Sequence, residues 1–99
     1  MISELLHTDR ENTITGRTLA DALNIDIRQI TEQIERERRS GKPICALQGK
    51  NAGYYLTGDP QELAEYCERL KRRSLELFKT RKALLQTLKK IAGQKGGNT

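Results

Sequence analysis

The stretch "DIRQITEQIERERRS", residues 26–40, concentrates the side chains best able to make directed hydrogen bonds. Arg28, Glu32, Arg36 and Arg39 recur at helical spacing, with Gln29 beside them. On a helix they gather on the face opposite Ile30 and Ile34. Arginine and glutamine can each bond two atoms of one base edge, and glutamate can accept from the amino group of cytosine. A good bidentate contact supplies ~1–3 kcal/mol of discrimination. The same residues can instead form a ladder of i,i+4 ion pairs, Arg28/Glu32, Glu32/Arg36 and Glu35/Arg39. A base-reading face and a plain solvated or protein-binding face are both open to this pattern.

Such a face is useful only if its helix is held in place, and the flanking residues supply the stops. Asp26 can cap the helix, and Gly41 and Pro43 end it. The preceding "ITGRTLADALNI" puts Leu19, Ala20 and Leu23 on one face, with Thr15 as a cap and Asn24 as a residue that tolerates a left-handed stop. Arg17 and Thr18 sit in the first turn of that helix, where a phosphate is favoured. Upstream, Ile2, Leu5 and Leu6 of "ISELLH" are at helical spacing and predict a short first helix, followed by a polar loop, "TDRENT".

Downstream, "PICAL" and "GYYL" read as paired strands, because β-branched and aromatic residues suit a half-buried sheet. Between them "QGKNA" is turn chemistry, in which Gly49, Asn51 and Gly53 can take positive φ. Lys50 and Asn51 are the tip groups able to touch a nucleic acid. Tyr54 and Tyr55 alternate, so one packs inward and the other is at least partly exposed. The predicted fold is mainly α with a small antiparallel β-hairpin: three helices, a hairpin and a long C-terminal helix. Two helices joined by a tight turn and followed by strand-turn-strand make a winged helix-turn-helix.

The residues that carry this pattern resemble a known family. "LADALNIDIRQITEQI", followed by "GKPI" and "GYYL", is similar to the winged-helix domains of DeoR-type and biotin-repressor-like regulators. Leu19, Ala20, Leu23, Ile25, Arg28, Ile30, Ile34, Gly41, Pro43, Ile44, Gly53, Tyr54 and Leu56 stand in register over about residues 14–57. A winged helix followed directly by a long charged helix also resembles small phage and mobile-element proteins of bacteria. The departures are Asp26 for the usual cap serine, Gln29 for threonine after the arginine, Glu32 for a common arginine, and Glu37 at an apolar position. The resemblance implies that helix 26–40 enters the major groove of double-stranded DNA, with Arg28 and Gln29 as the leading base contacts.

Charge complicates that picture. The 99-residue chain has a net charge of +5, which favours an acidic partner. Residues 1–59 hold eight Lys/Arg against nine Asp/Glu, whereas residues 60–99 hold ten against four. The basic surplus is therefore not on the half with the binding motif. A hydrophobic content of 35% and a charged content of 31% fit a small core with long solvated helical surfaces. Cys45 and Cys67 form no CxxC pair and both fall in apolar patterns, which predicts reduced core thiols and a cytoplasmic location. His7 is the lone histidine. No metal site, cofactor or catalytic set is expected, no small-molecule ligand is evident because no sensor domain follows the hairpin, and the chain does not read as an enzyme. Neither a signal peptide nor a membrane span is expected.

Asp59 and Pro60 open the last helix, expected over 60–92 with a disordered tail at 93–99. Leu63, Leu70, Leu77, Leu84 and Ile91 recur every seven residues, with Cys67, Ser74, Arg81 and Leu88 between them. This is a heptad seam with one good column and one poor column, widened by Tyr66, Phe78 and Leu85. Leu63, Tyr66 and Cys67 are expected to fold back on the 1–59 domain. Leu70, Leu77, Leu84, Leu88 and Ile91 are expected to form a homodimer. The sequence thus predicts a dimeric transcriptional regulator that binds DNA sequence-specifically. The alternatives are a winged helix repurposed for protein binding, with the long helix as a docking arm, and a DNA-architectural or replication accessory protein.

Overall fold

The computed structural model describes residues 1–97, and their side chains as far as Gly93. It is mainly helical. In order come a 3-10 turn at Ile2–Leu5, α1 (Gly16–Leu23), α2 (Ile27–Arg39), β1 (Ile44–Leu47), a 3-10 turn at Gly49–Asn51, β2 (Gly53–Leu56) and α3 (Pro60–Gly97). The chain divides into two compact units, Met1–Tyr66 and Cys67–Thr99.

In the first unit, local chemistry sets each helix end. The Thr15 hydroxyl accepts the Thr18 amide at the start of α1, and Asn24 ends that helix in the left-handed region at φ 55°. Asp26 and Gln29 form a reciprocal capping box at the start of α2: the Asp26 carboxylate accepts the Gln29 amide at 2.8 Å, and the Gln29 side-chain carbonyl accepts the Asp26 amide at 3.0 Å. Gly41 (φ 105°) lets the chain fold back after α2, where the Lys42 amide bonds the Glu37 carbonyl and the Gly41 amide bonds the Arg38 carbonyl. Asp59 caps α3 by accepting the Gln61 amide at 2.9 Å.

The core is formed by Ile2, Leu6, Leu19, Ala20, Ile30, Ile34 and Ile44, with Ile14, Ile25, Tyr54 and Leu56 packed against it. The hairpin is antiparallel, pairing Ile44 with Leu56, Cys45 with Tyr55, Ala46 with Tyr54 and Leu47 with Gly53. Strand alternation puts Tyr54 and Leu56 on the core side and Tyr55 on the other. Tyr55 is nevertheless buried, because that face is covered too. Its hydroxyl donates to Glu62 in the first turns of α3 at 3.3 Å, and the Thr57 hydroxyl donates to the same carboxylate at 2.8 Å.

Several expectations are corrected. Residues 2–7 do not form an α-helix: a 3-10 turn covers Ile2–Leu5 and Leu6 is extended, leaving Leu5 exposed. Six residues are too few for a cooperative helix, and the Ile2 and Ser3 amides bond a glutamate instead. Asn51 does not take positive φ; among the described residues Asn24 is the non-glycine that does, alongside Gly41, Gly49 and Gly53. The hairpin has an unforeseen neighbour: Ile14 exchanges two backbone hydrogen bonds with Tyr54, at 2.9 and 2.8 Å. A Cβ on Gly53 would lie 2.8 Å from the Ile14 backbone, so only glycine permits that approach. Glycine also meets the φ of 143° there.

The second unit is a single helical segment of α3 whose described side chains are all exposed. Cys67 is among them, a correction to its placement in the core, while Cys45 is buried; neither is joined in a disulfide. Leu63 and Tyr66, in the first unit, are partly buried. The helix continues to Gly97, past the boundary drawn at 92, and residues 98 and 99 of the expected tail lie outside the described residues. No described helix is long and apolar enough to cross a membrane.

Candidate nucleic-acid interface

α2 is anchored through one face. Ile30 and Ile34 are fully buried, and so is Glu37, the residue that continues their stripe by one more turn. Glu37 is charged at a position where packing favours an apolar residue, and its environment accounts for it. Its carboxylate accepts the Ile2 and Ser3 amides at 2.8 Å each and the Gln33 side-chain amide at 2.9 Å. Burial pushes its pKa up, but the bonds from Ser3, Gln33 and Ile2 outweigh that and hold it below the usual carboxylate value. Glu37 therefore ties the N-terminal turn to α2.

Arg38 anchors the neighbouring flank. Its Nε donates to the Ile44 carbonyl at 2.9 Å and an Nη donates to Glu35 at 3.1 Å. The guanidinium lies 5.0 Å from the Tyr66 ring centre and 6.0 Å from that of Tyr54. Its second Nη is buried with no hydrogen-bond acceptor, so the aromatic faces are its electrostatic cover.

The opposite face of α2 is open, and its expected site residues divide by what they touch. Arg28, 87% exposed at the side chain, pairs with Glu32 at 3.2 Å as expected. The other two rungs of the ladder do not form. Arg36 donates twice to the Gln33 side chain, at 3.2 and 2.9 Å, and Glu35 pairs with Arg38 three residues on. This releases Arg39, which has no ion-pair partner among the described residues. Gln29 is exposed, but its carbonyl oxygen serves the capping box, leaving its amide NH2 as the group free to reach outward. Arg17 is exposed, and Thr18 gives its amide to the Thr15 cap while its hydroxyl accepts from Thr15 at 2.9 Å.

At the hairpin tip Lys50 and Asn51 are exposed, and the Thr13 hydroxyl donates to the Asn51 carbonyl at 2.8 Å. The tip is thus fastened to the strand-like segment that carries Ile14. Lys42, exposed just after α2, is a cation that the reading of residue types left aside. Arg38 and Glu37 were likewise missed as positioning residues. Glu37 could have been found from its place on the Ile30–Ile34 stripe; nothing local marks Arg38.

Beside this face lies an open cleft of about 740 Å³, whose lining includes the apolar Met1, Leu5, Leu23 and Ile25 and the polar Glu4, Gln29, Glu32, Gln33 and Arg36. Among the described residues no group of three or more His, Cys, Asp or Glu is placed to hold a metal ion. Neither a protein-family model, nor a curated protein, nor a solved structure matches the chain.

Proposed function

We propose that the first unit is a winged helix-turn-helix that binds double-stranded DNA sequence-specifically, as a transcriptional regulator, with α2 in the major groove. The observation that carries this reading is the division of α2. Ile30, Ile34 and Glu37 fix one face, while Arg28, Gln29, Glu32, Arg36 and Arg39 stand exposed on the other. A rigidly anchored helix with an open polar face, a capped N-terminus and a hairpin just downstream is what groove reading requires.

The roles differ from those first assigned. Arg28 comes with Glu32 attached, so the two act as a pair: the arginine fork toward a guanine edge, the glutamate free to accept from a cytosine amino group when the ion pair opens. Gln29 contributes its NH2 alone. Arg39, Lys42 and Lys50 are the cations of this unit suited to phosphate, together with Arg17 on α1.

The test is selection of bound duplexes from a random pool, followed by gel shifts. A recovered motif, with Arg28→Ala relaxing preference at one position and costing ~1–3 kcal/mol, supports the reading. Recovery of no motif, with affinity unchanged in Arg28→Ala, overturns it.

The cleft favours a second reading, in which the same face binds protein. Met1, Leu5 and Leu23 are 57%, 45% and 41% exposed where they line it, next to Gln29, Glu32 and Arg36. On that reading the chain does not bind DNA even at low salt, and Leu5→Ser and Leu23→Ser abolish partner binding.

A further inference from the structure

We propose that residues 67–93 of α3 pair with the same segment of a second copy, and that this pairing is held weak by like charge until salt or a polyanion supplies the counter-charge. The proposal goes beyond DNA reading and is measured without DNA, so either can fail alone.

The first argument is area. Leu77, Phe78, Leu84, Leu88 and Ile91 are between 51% and 66% exposed. Leu70 and Leu85 are each 39% exposed. At ~100 Å² for each of the five more exposed side chains and ~60 Å² for each of the other two, these seven offer roughly 600 Å² per copy, against ~800 Å² per partner in a standard interface. The second is period. Leu70, Leu77, Leu84 and Ile91 repeat every seven residues, with Ser74, Arg81 and Leu88 as the alternate column. A heptad stripe follows a helical partner around a supercoil.

The third argument is where the polar residues fall. Arg81 and Ser74 lie within the apolar stripe. Between two helices the arginine stem packs at the seam and its head leaves sideways. The seven-residue period keeps one stripe against a supercoiled partner helix, whereas a flat lipid surface calls for the 3.6-residue period of a straight helix, so a second copy is favoured over a membrane.

The regulation follows from charge. Residues 67–93 hold nine Lys/Arg and, as acids, Glu68 and Glu76 alone. Lys79 pairs with Glu76 at 3.2 Å, both largely exposed to solvent, so water screens that pair. Bringing two such segments together stacks positive on positive, and this repulsion falls as the Debye length shrinks from ~10 Å at 0.1 M salt to ~3 Å at 1 M. Pairing should strengthen with salt, opposite to the salt dependence of DNA binding.

The experiment is analytical ultracentrifugation of the full chain across salt concentrations, with Arg81→Leu and Leu84→Lys. The expected results are a dimer about tenfold tighter at 0.5 M than at 0.05 M salt. Arg81→Leu should tighten pairing and flatten its salt dependence, and Leu84→Lys should give a monomer with unchanged thermal stability of the first unit. Thiol labelling gives an independent reading: Cys67 should become protected as protein concentration rises, with buried Cys45 protected throughout. A monomer at every salt concentration, or no effect of Arg81→Leu, overturns the proposal. So does binding of the monomer to phosphatidylserine vesicles with protection of Cys67 there, which would assign the stripe to lipid.

Discussion

The Oε1 of Glu37 accepts the backbone amide of Ser3 at 2.8 Å, and its Oε2 accepts that of Ile2 at the same distance. One side chain late in α2 thus satisfies the N-terminal turn, 34 residues away. Truncation by Glu37→Ala leaves two buried amides and the Gln33 side chain without this acceptor. At ~1–3 kcal/mol for a buried group left unsatisfied, the expected loss is about 2–4 kcal/mol. Thermal melting should show it as a drop of at least 10 °C, roughly, for a unit of this size. Glu37→Leu should be no remedy, since it restores the apolar stripe but not the acceptor; a Leu variant as stable as the native chain would refute the account.

The same carboxylate makes a pH prediction. Its folded pKa is lowered, so its contribution is complete above the ordinary glutamate range and is lost as pH falls through the folded value. Urea midpoints measured from neutral pH downward should decline in that acid limb. In Glu37→Gln the limb should be shallower, starting from a lower plateau.

Tyr55 acts at the other end of the scale. Burial, with the charges of Cys45 and Glu62 beside it, pushes its pKa up to about 12. The unfolded phenol ionises near 10, so stability should fall as pH rises from there through about 12. Tyr55→Phe should remove this alkaline loss. It also frees the Glu62 carboxylate from one donor while leaving it the Thr57 hydroxyl.

Gly53 tests the contact that the residue pattern did not foretell. An alanine there meets the Ile14 backbone at 2.8 Å and must hold φ at 143°. The expected cost of Gly53→Ala is about 2 kcal/mol or more. Hydrogen exchange at the Ile14 and Tyr54 amides should accelerate selectively. Gly49→Ala, strained at φ 83° but with open space around it, should cost less.

Much of the architecture is legible in the residues because its causes are local. Thr15, Asn24, Asp26, Gly41 and Asp59 each set a helix end through their own backbone or the next few residues, and the Ile30–Ile34 spacing fixes which face of α2 is buried. Arg28 with Glu32 belongs to the same class, being one turn apart. What the sequence left open was decided between segments distant in the chain. The short first segment became a 3-10 turn because Glu37 takes its amides, and Ile14 became a neighbour of the hairpin because Gly53 lets the backbones touch. Arg38, which had no place in the expected ladder, is held by the Ile44 carbonyl beside the Tyr66 ring and takes Glu35, releasing Arg39. Helix caps and heptads are written in spacing over a few residues. Which charges remain free to bind is settled only when the folded chain has taken the others.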